Sequence, residues 1–159
     1  MMERINKIYN LEAYRSEVVY IANDEKERIY CKHNLEHFLD VARIAYMMNL
    51  EQNLGYDKEI IYAVGLLHDI GRHREYESGL NHHIASTIMA REILKQTGFC
   101  EDEVAIICDA IQNHRNKEKS NKLNEIIYKA DKLSRKCYAC SALSTCKWPS
   151  DKKNKDIEY

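Results

Sequence analysis

Apolar residues recur at spacings of three and four along most of the chain, and this pattern predicts about six main helices. The first runs through Leu11, Tyr14, Val18 and Ile21, then gives way to a charged stretch from Asn23 to Arg28. A second, from about Asn34 to Leu54, carries Phe38, Val41, Ala42, Ala45 and Met48, with Gly55 as its stop. Asp57 suits the N-cap of a third, through Ile60, Ile61, Val64 and Leu67, ending near Gly71. A fourth starts at Asn81 or His82 and continues to Lys95, ahead of Gly98. A fifth covers Glu101 to His114, and a sixth runs from Asn124 to Lys136. Beyond it lies a polar segment that carries cysteines.

One proline and five glycines leave little room for the turns of an all-β fold, so the class expected is all-α. The length of 159 residues, 45% hydrophobic and 31% charged, suits one globular domain, 1–159, that folds without staples. No apolar core of a signal peptide follows Met1-Met2-Glu3-Arg4, and the run Ala63 to Leu67 is far too short to cross a bilayer. The expectation is a cytoplasmic protein with no membrane partner, its six cysteines serving as thiols or metal ligands.

Net charge is −1, which argues against general nucleic-acid binding, but the charge is unevenly spread. Arg115 to Tyr159 holds twelve Lys/Arg against six Asp/Glu, or +6; residues 1–114 hold twelve against nineteen, or −7. Two readings stand: solvated helix faces with a lysine-rich tail (Lys152, Lys153, Lys155), or a basic wall beside an anionic substrate.

The pair His68-Asp69, in Leu66-Leu67-His68-Asp69-Ile70-Gly71-Arg72, ends an apolar helical stretch where two polar side chains are costly to bury without a partner. Other helices send similar groups to their apolar sides. His37 is in row with Val41 and Ile44, His83 with Ser86, Ala90 and Ile93, His114 with Ile111 and Ile107, and Asp131 with Ile127. A lone core histidine is ordinary, but six such groups in one small helical domain point to a metal centre built between helices.

These residues carry a resemblance. His37 followed by Leu39-Asp40-Val41-Ala42, then Leu67-His68-Asp69-Ile70-Gly71, then Tyr128-Lys129-Ala130-Asp131-Lys132, resembles the H…HD…D signature of the HD-domain superfamily. That resemblance implies a helical bundle with its core at about 31–136, and mainly metal-dependent phosphohydrolase activity. It makes His37, His68, Asp69 and Asp131 the primary metal ligands, with His83 and His114 serving a second ion that Asp69 bridges. His82 is an alternative to His83. Arg72, Lys132 and Arg135 are candidates to hold phosphate, with Asp69, Arg72 and Lys132 as the catalytic set. His33, one turn before His37, is a candidate substrate contact or an exposed residue, and His73 is expected in an exposed loop. Gly71 is expected to end the helix that supplies His68.

The resemblance and the donor types imply two divalent transition ions, Fe or Mn, with Co, Ni or Zn possible. They also imply a small phosphorylated substrate such as a nucleotide. Small bacterial relatives of this pattern split diadenosine polyphosphates, but the surroundings of Arg72 and His82 do not single out that substrate. A di-iron oxygenase and a non-catalytic metal- or nucleotide-sensing module are the alternatives, and a homo-oligomer is compatible with all three.

Cys137, Cys140 and Cys146, spaced C-x2-C-x5-C, form three-quarters of a structural zinc or iron–sulfur site, which Cys31 would complete if the tail folds back. The alternative is three ordinary thiols, with Trp148 and Pro149 packing the tail on the body. Cys100 and Cys108 read as helix-start and helix-core residues.

Overall fold

The most apolar of the expected helices becomes the axis of the molecule. In the computed structural model, which describes residues 1–116, 118 and 120–159, α4 (Lys58–Leu67) is buried at every position from Ile60 to Leu67. Asp57 caps it, its carboxylate accepting from the Glu59 and Ile60 amides. Around α4 pack α3 (Leu35–Glu51), α7 (Glu101–Asn113), α8 (Lys122–Leu133), α6 (His82–Thr97) and α1 (Glu3–Asn10). Completing the body, α2 (Glu12–Asp24) lies against α1 and α5 (Arg72–Ser78), and α5 lies against α6. The described residues thus form eight α-helices and three single-turn 3-10 helices (Cys137–Ala139, Leu143–Thr145, Ser150–Lys152), with no strand. The all-α expectation holds.

Two helices escaped the hydrophobic pattern for the same reason. α1 has two buried apolar residues, Ile5 and Ile8, and is held as much by Arg4, whose guanidinium meets Glu59 at 2.5 Å and Glu103 at 2.7 Å. α5 buries none of its residues. Ion pairs hold it instead: His73 to Asp24 at 2.7 Å and Arg74 to the buried Glu17 at 3.2 Å. His73, expected in a loop, therefore lies on a helix with its ring tied down.

Helix ends also moved. α3 stops at Glu51 rather than Leu54, because Asn53 takes the left-handed conformation (φ 51°) ahead of Gly55. α4 stops at Leu67, so His68 and Asp69 stand in the turn beyond it. α8 runs from Lys122 to Leu133, with Ser134 at its C-cap.

Gly71 has a different role from the one expected. Its φ of −83° is ordinary, so no left-handed stop is involved. What it provides is closeness: a Cβ there would lie 2.4 Å from the Ser86 amide nitrogen and 2.7 Å from the His82 carbonyl. Its own amide donates to Ser86 Oγ at 2.9 Å. This contact sets the start of α6 against the turn after α4. Gly65 does the same between α4 and α3, where a Cβ would sit 2.6 Å from that of Ala42.

Gly65→Ala gains helix propensity of about 1 kcal/mol but forces α3 and α4 apart, which costs about 1–3 kcal/mol. The expected outcome is a lower urea midpoint; an unchanged or higher one would contradict the close-approach account.

Candidate metal centre

Asp69 is 2% exposed, and five imidazoles point their Nε2 atoms at its carboxylate. Oδ2 faces His33 at 3.6 Å, His68 at 3.7 Å and His37 at 3.9 Å. Oδ1 faces His82 at 3.2 Å and His114 at 3.5 Å. The two oxygens therefore look into two separate groups of histidines. His37, His68 and Asp69 form one triad whose ligand atoms lie within 4.8 Å of one another, and Asp69, His82 and His114 form another.

Helix ends hold the rings. His68 and His114 each follow the last residue of a helix, α4 and α7, and their Nδ1 atoms reach back to the last-turn carbonyls of Gly65 (2.8 Å) and Ile111 (2.6 Å). His82 opens α6, and its Nδ1 meets the Glu75 carboxylate of α5 at 2.7 Å. His33 precedes α3, and its Nδ1 meets Glu25 at 2.5 Å. His37, in the first turn of α3, has Nδ1 3.2 Å from Ser134 Oγ, which already donates its proton to the Asp131 carbonyl. Every one of these partners accepts, so every Nδ1 carries the proton, and in the neutral rings of His37, His68 and His82 Nε2 presents a lone pair.

That arrangement leaves acceptors facing acceptors. Nε2 of His37, His68 and His82, and Oδ1 of Asp69, are buried without a hydrogen-bond partner. A buried carboxylate oxygen 3.2 Å from an imidazole lone pair is relieved by a cation between them. Burial also pushes the imidazoles down, His68 to about 3 and His82 to about 4, so both are neutral near pH 7 and free to bind metal. Burial alone would push the Asp69 carboxyl up, and the Arg72 guanidinium, 3.2 Å from Oδ2, pulls it down. The donor set fits a divalent transition ion.

Asp131, in the last turn of α8, joins the first group, with Oδ1 3.7 Å from His37 Nε2. Each carboxylate has a cation beside it: Arg72 Nε lies 3.2 Å from Asp69 Oδ2, and Lys132 pairs with Asp131. Arg135 lies further out, its guanidinium 4.4 Å above the Trp148 ring. The cluster opens into a cavity of about 580 Å³, with Arg28, Lys32, Arg72, Arg115, Lys132 and Arg135 on its walls. Arg115, Lys132 and Arg135 come from the basic 115–159 segment, Arg28, Lys32 and Arg72 from the acidic part of the chain, and Glu36 and Asp40 line the cavity as well.

Of the two histidines the sequence left open, His83 and its alternative His82, it is His82 that lies beside Asp69 and His114. The buried face of α6 runs His82, Ser86, Ala90, Leu94 and Thr97, so His82 points inward and His83 is only partly covered, its Nε2 outside both triads. Both histidines lie one turn from Ser86, so spacing alone did not separate them; Glu75 and the Gly71 contact do. Glu25 and Glu75 were missed as well. Glu25 sat in the charged stretch from Asn23 to Arg28, and Glu75 on a helix without apolar period.

Residues 34–136 match the family model described as HD domain. An uncharacterised protein of Clostridium beijerinckii is 46% identical over 161 residues, which cover 99% of this chain and 100% of that protein. A Ribonuclease Y of Mycoplasma capricolum subsp. capricolum is 32% identical over 105 residues, 66% of this chain but 19% of the relative. An uncharacterised protein of Methanocaldococcus jannaschii is 39% identical over 83 residues, 50% of this chain and 45% of that one. No solved structure gives a significant match.

Two outcomes follow from the anchors. His82→Ala is expected to lower bound metal while His83→Ala retains it, and Glu75→Ala to weaken affinity about 10–100-fold; equal loss in the His82 and His83 variants, read by elemental analysis, would contradict the geometry. Burial alone would push the Glu25 carboxyl up from 4.5, but hydrogen bonds from His33 and Tyr76 hold it at about 2. Its folded value is depressed, so the stabilisation is complete above about pH 4.5 and disappears as pH falls towards 2. Glu25→Gln should therefore narrow its stability deficit against wild type over that window, and a deficit that stays constant with pH would count against the assignment.

Proposed function

The chain belongs to the HD-domain family, a superfamily mainly of metal-dependent phosphohydrolases, and from that premise we propose that it hydrolyses a small phosphate ester, such as a nucleotide, at a centre built on Asp69. One observation carries the reading: Asp69 turns its two oxygens to separate sets of unpartnered imidazole nitrogens, at the inner end of a cation-lined cavity. His37, His68, Asp69 and Asp131 would hold one ion and Asp69, His82 and His114 a second, Fe or Mn being the metals proposed. Divalent ions bound there would supply water acidified to a pKa of about 7 and offset charge on phosphoryl oxygens.

The chain's own residues do the rest. The Nδ1 anchors hold each ring in one tautomer, so the lone pairs are set before metal or substrate arrives. Arg72 and Lys132, now paired with the carboxylates, are the side chains proposed to turn to the phosphoryl group, with Arg28, Lys32 and Arg115 drawing the anion in. His33 keeps a free Nε2 at the cavity while Glu25 holds its other nitrogen, the arrangement of a proton acceptor whose imidazolium is steadied by a carboxylate. The relative named as a ribonuclease bears on the class, since RNA is a phosphate ester, but this chain spans 19% of that protein.

The test is anaerobic purification, elemental analysis and a phosphate-release screen over nucleotides, dinucleoside polyphosphates and sugar phosphates. Asp69→Ala is expected to lose metal and phosphate release together, to background, with helix content kept. Full activity in that variant would end the proposal.

A further inference from the structure

The three tail cysteines and Cys31, which the metal centre does not use, line a common cavity. Cys31, Cys137, Cys140 and Cys146 all line the outer part of the same cavity. Three different local segments bring them there. Cys31 lies in the loop before α3, with its carbonyl held by Arg28 Nε at 2.7 Å. Cys137 and Cys140 bracket one 3-10 turn, closed by the Cys140 amide on the Cys137 carbonyl at 3.2 Å. Cys146 caps the next turn, its amide on the Leu143 carbonyl at 3.3 Å. Burial pushes the Cys31 thiol up, Arg135 opposes this, and Cys137 and Cys140 add to it.

The tail needs such a link. No hydrophobic residue beyond Ala130 is buried in the core among the described residues, and Trp148, Tyr138 and Leu143 are exposed. Hydrogen bonds hold it: the Tyr30 hydroxyl to the Thr145 carbonyl (3.0 Å), Lys153 to the Cys146 carbonyl (3.1 Å), and Asn154 to the carbonyls of Lys132 and Arg135 (2.8 Å each). One of these, Tyr30 to Thr145, ties the turn before Cys146 to the Tyr30–Cys31 loop, and Lys153 holds Cys146 from within the tail. Four thiolates around a divalent ion carry a net charge of −2, and Arg28, Lys32, Arg135, Lys136 and Lys152 line the same cavity to offset it.

We propose that Cys31, Cys137, Cys140 and Cys146 bind one zinc ion, a structural four-thiolate site that fastens the tail to the loop carrying His33 and completes the cavity's outer wall. The four cysteines line one cavity without being drawn to ligand spacing: among the described residues, the triads within 4.8 Å are the two that share Asp69. They lie on short, partly exposed turns, and binding would draw them together with release of the thiol protons. This site is independent of the proposed hydrolysis.

The test uses the full chain, treated with chelator under reducing conditions and titrated with Co²⁺. Cobalt on thiolates gives an intense sulfur-to-metal charge-transfer band, whereas cobalt on the histidine and aspartate cluster has no sulfur and gives none. The band should appear, weaken in Cys31→Ser and in Cys146→Ser, persist in Cys100→Ser and Cys108→Ser, and bleach when Zn²⁺ is added. The α-helices end at Leu133, so far-UV circular dichroism reports folding of each variant separately from the tail. No band in folded wild type would overturn the site, an undiminished band in Cys31→Ser would overturn the fourth ligand, and iron with acid-labile sulfide at these cysteines would overturn zinc.

Discussion

A carboxylate buried among imidazole lone pairs is the constraint around which this molecule is arranged. Asp69 is all but removed from water, and a charge in that position is tolerable only when surrounded by groups that answer it. Arg72 is one such group, at 3.2 Å. The histidines are not, because Gly65, Ile111, Glu75, Glu25 and Ser134 all fix the proton on the far nitrogen. The chain thus gathers acceptors around an acceptor, which is unfavourable for the protein alone and suits a divalent cation. In the proposed account that unfavourable cluster is the basis of metal affinity.

The fold serves this cluster mainly through helix ends. The apolar axis α4 delivers His68 and Asp69 as it terminates, and α7 delivers His114 the same way; His82 and His37 enter at the starts of α6 and α3. A helix terminus offers what a helix interior does not, namely free carbonyls that orient an imidazole. Gly71 lets α6 approach the turn after α4 closely enough for His82 to face Asp69. Outside the cluster Arg28, Lys32 and Arg115 line the cavity, the side chains that in the proposed function draw an anionic substrate in.

The sequence pattern and the structure part company in instructive places. The all-α class and the convergence of His37, His68, Asp69, His114 and Asp131 were legible, because each of these residues adjoins a strongly apolar stripe. The choice of His83 over His82 was not: both lie one turn from Ser86, and the deciding contacts come from Glu75 and Gly71, outside the helix. α5 was invisible to periodicity since ion pairs rather than apolar burial hold it, and with it went Glu75 and the helical setting of His73. Glu25 illustrates the same limit, being buried within a stretch whose composition reads as solvated.

The central claim is that Asp69 is shared between two ions, one on each oxygen. Anomalous diffraction from crystals of the manganese-loaded protein measures this most directly. The account predicts two anomalous peaks about 3.5–4 Å apart, one between Asp69 Oδ2 and His37, His68 and Asp131, the other between Oδ1 and His82 and His114. A single peak, or two peaks not joined by Asp69, would contradict it.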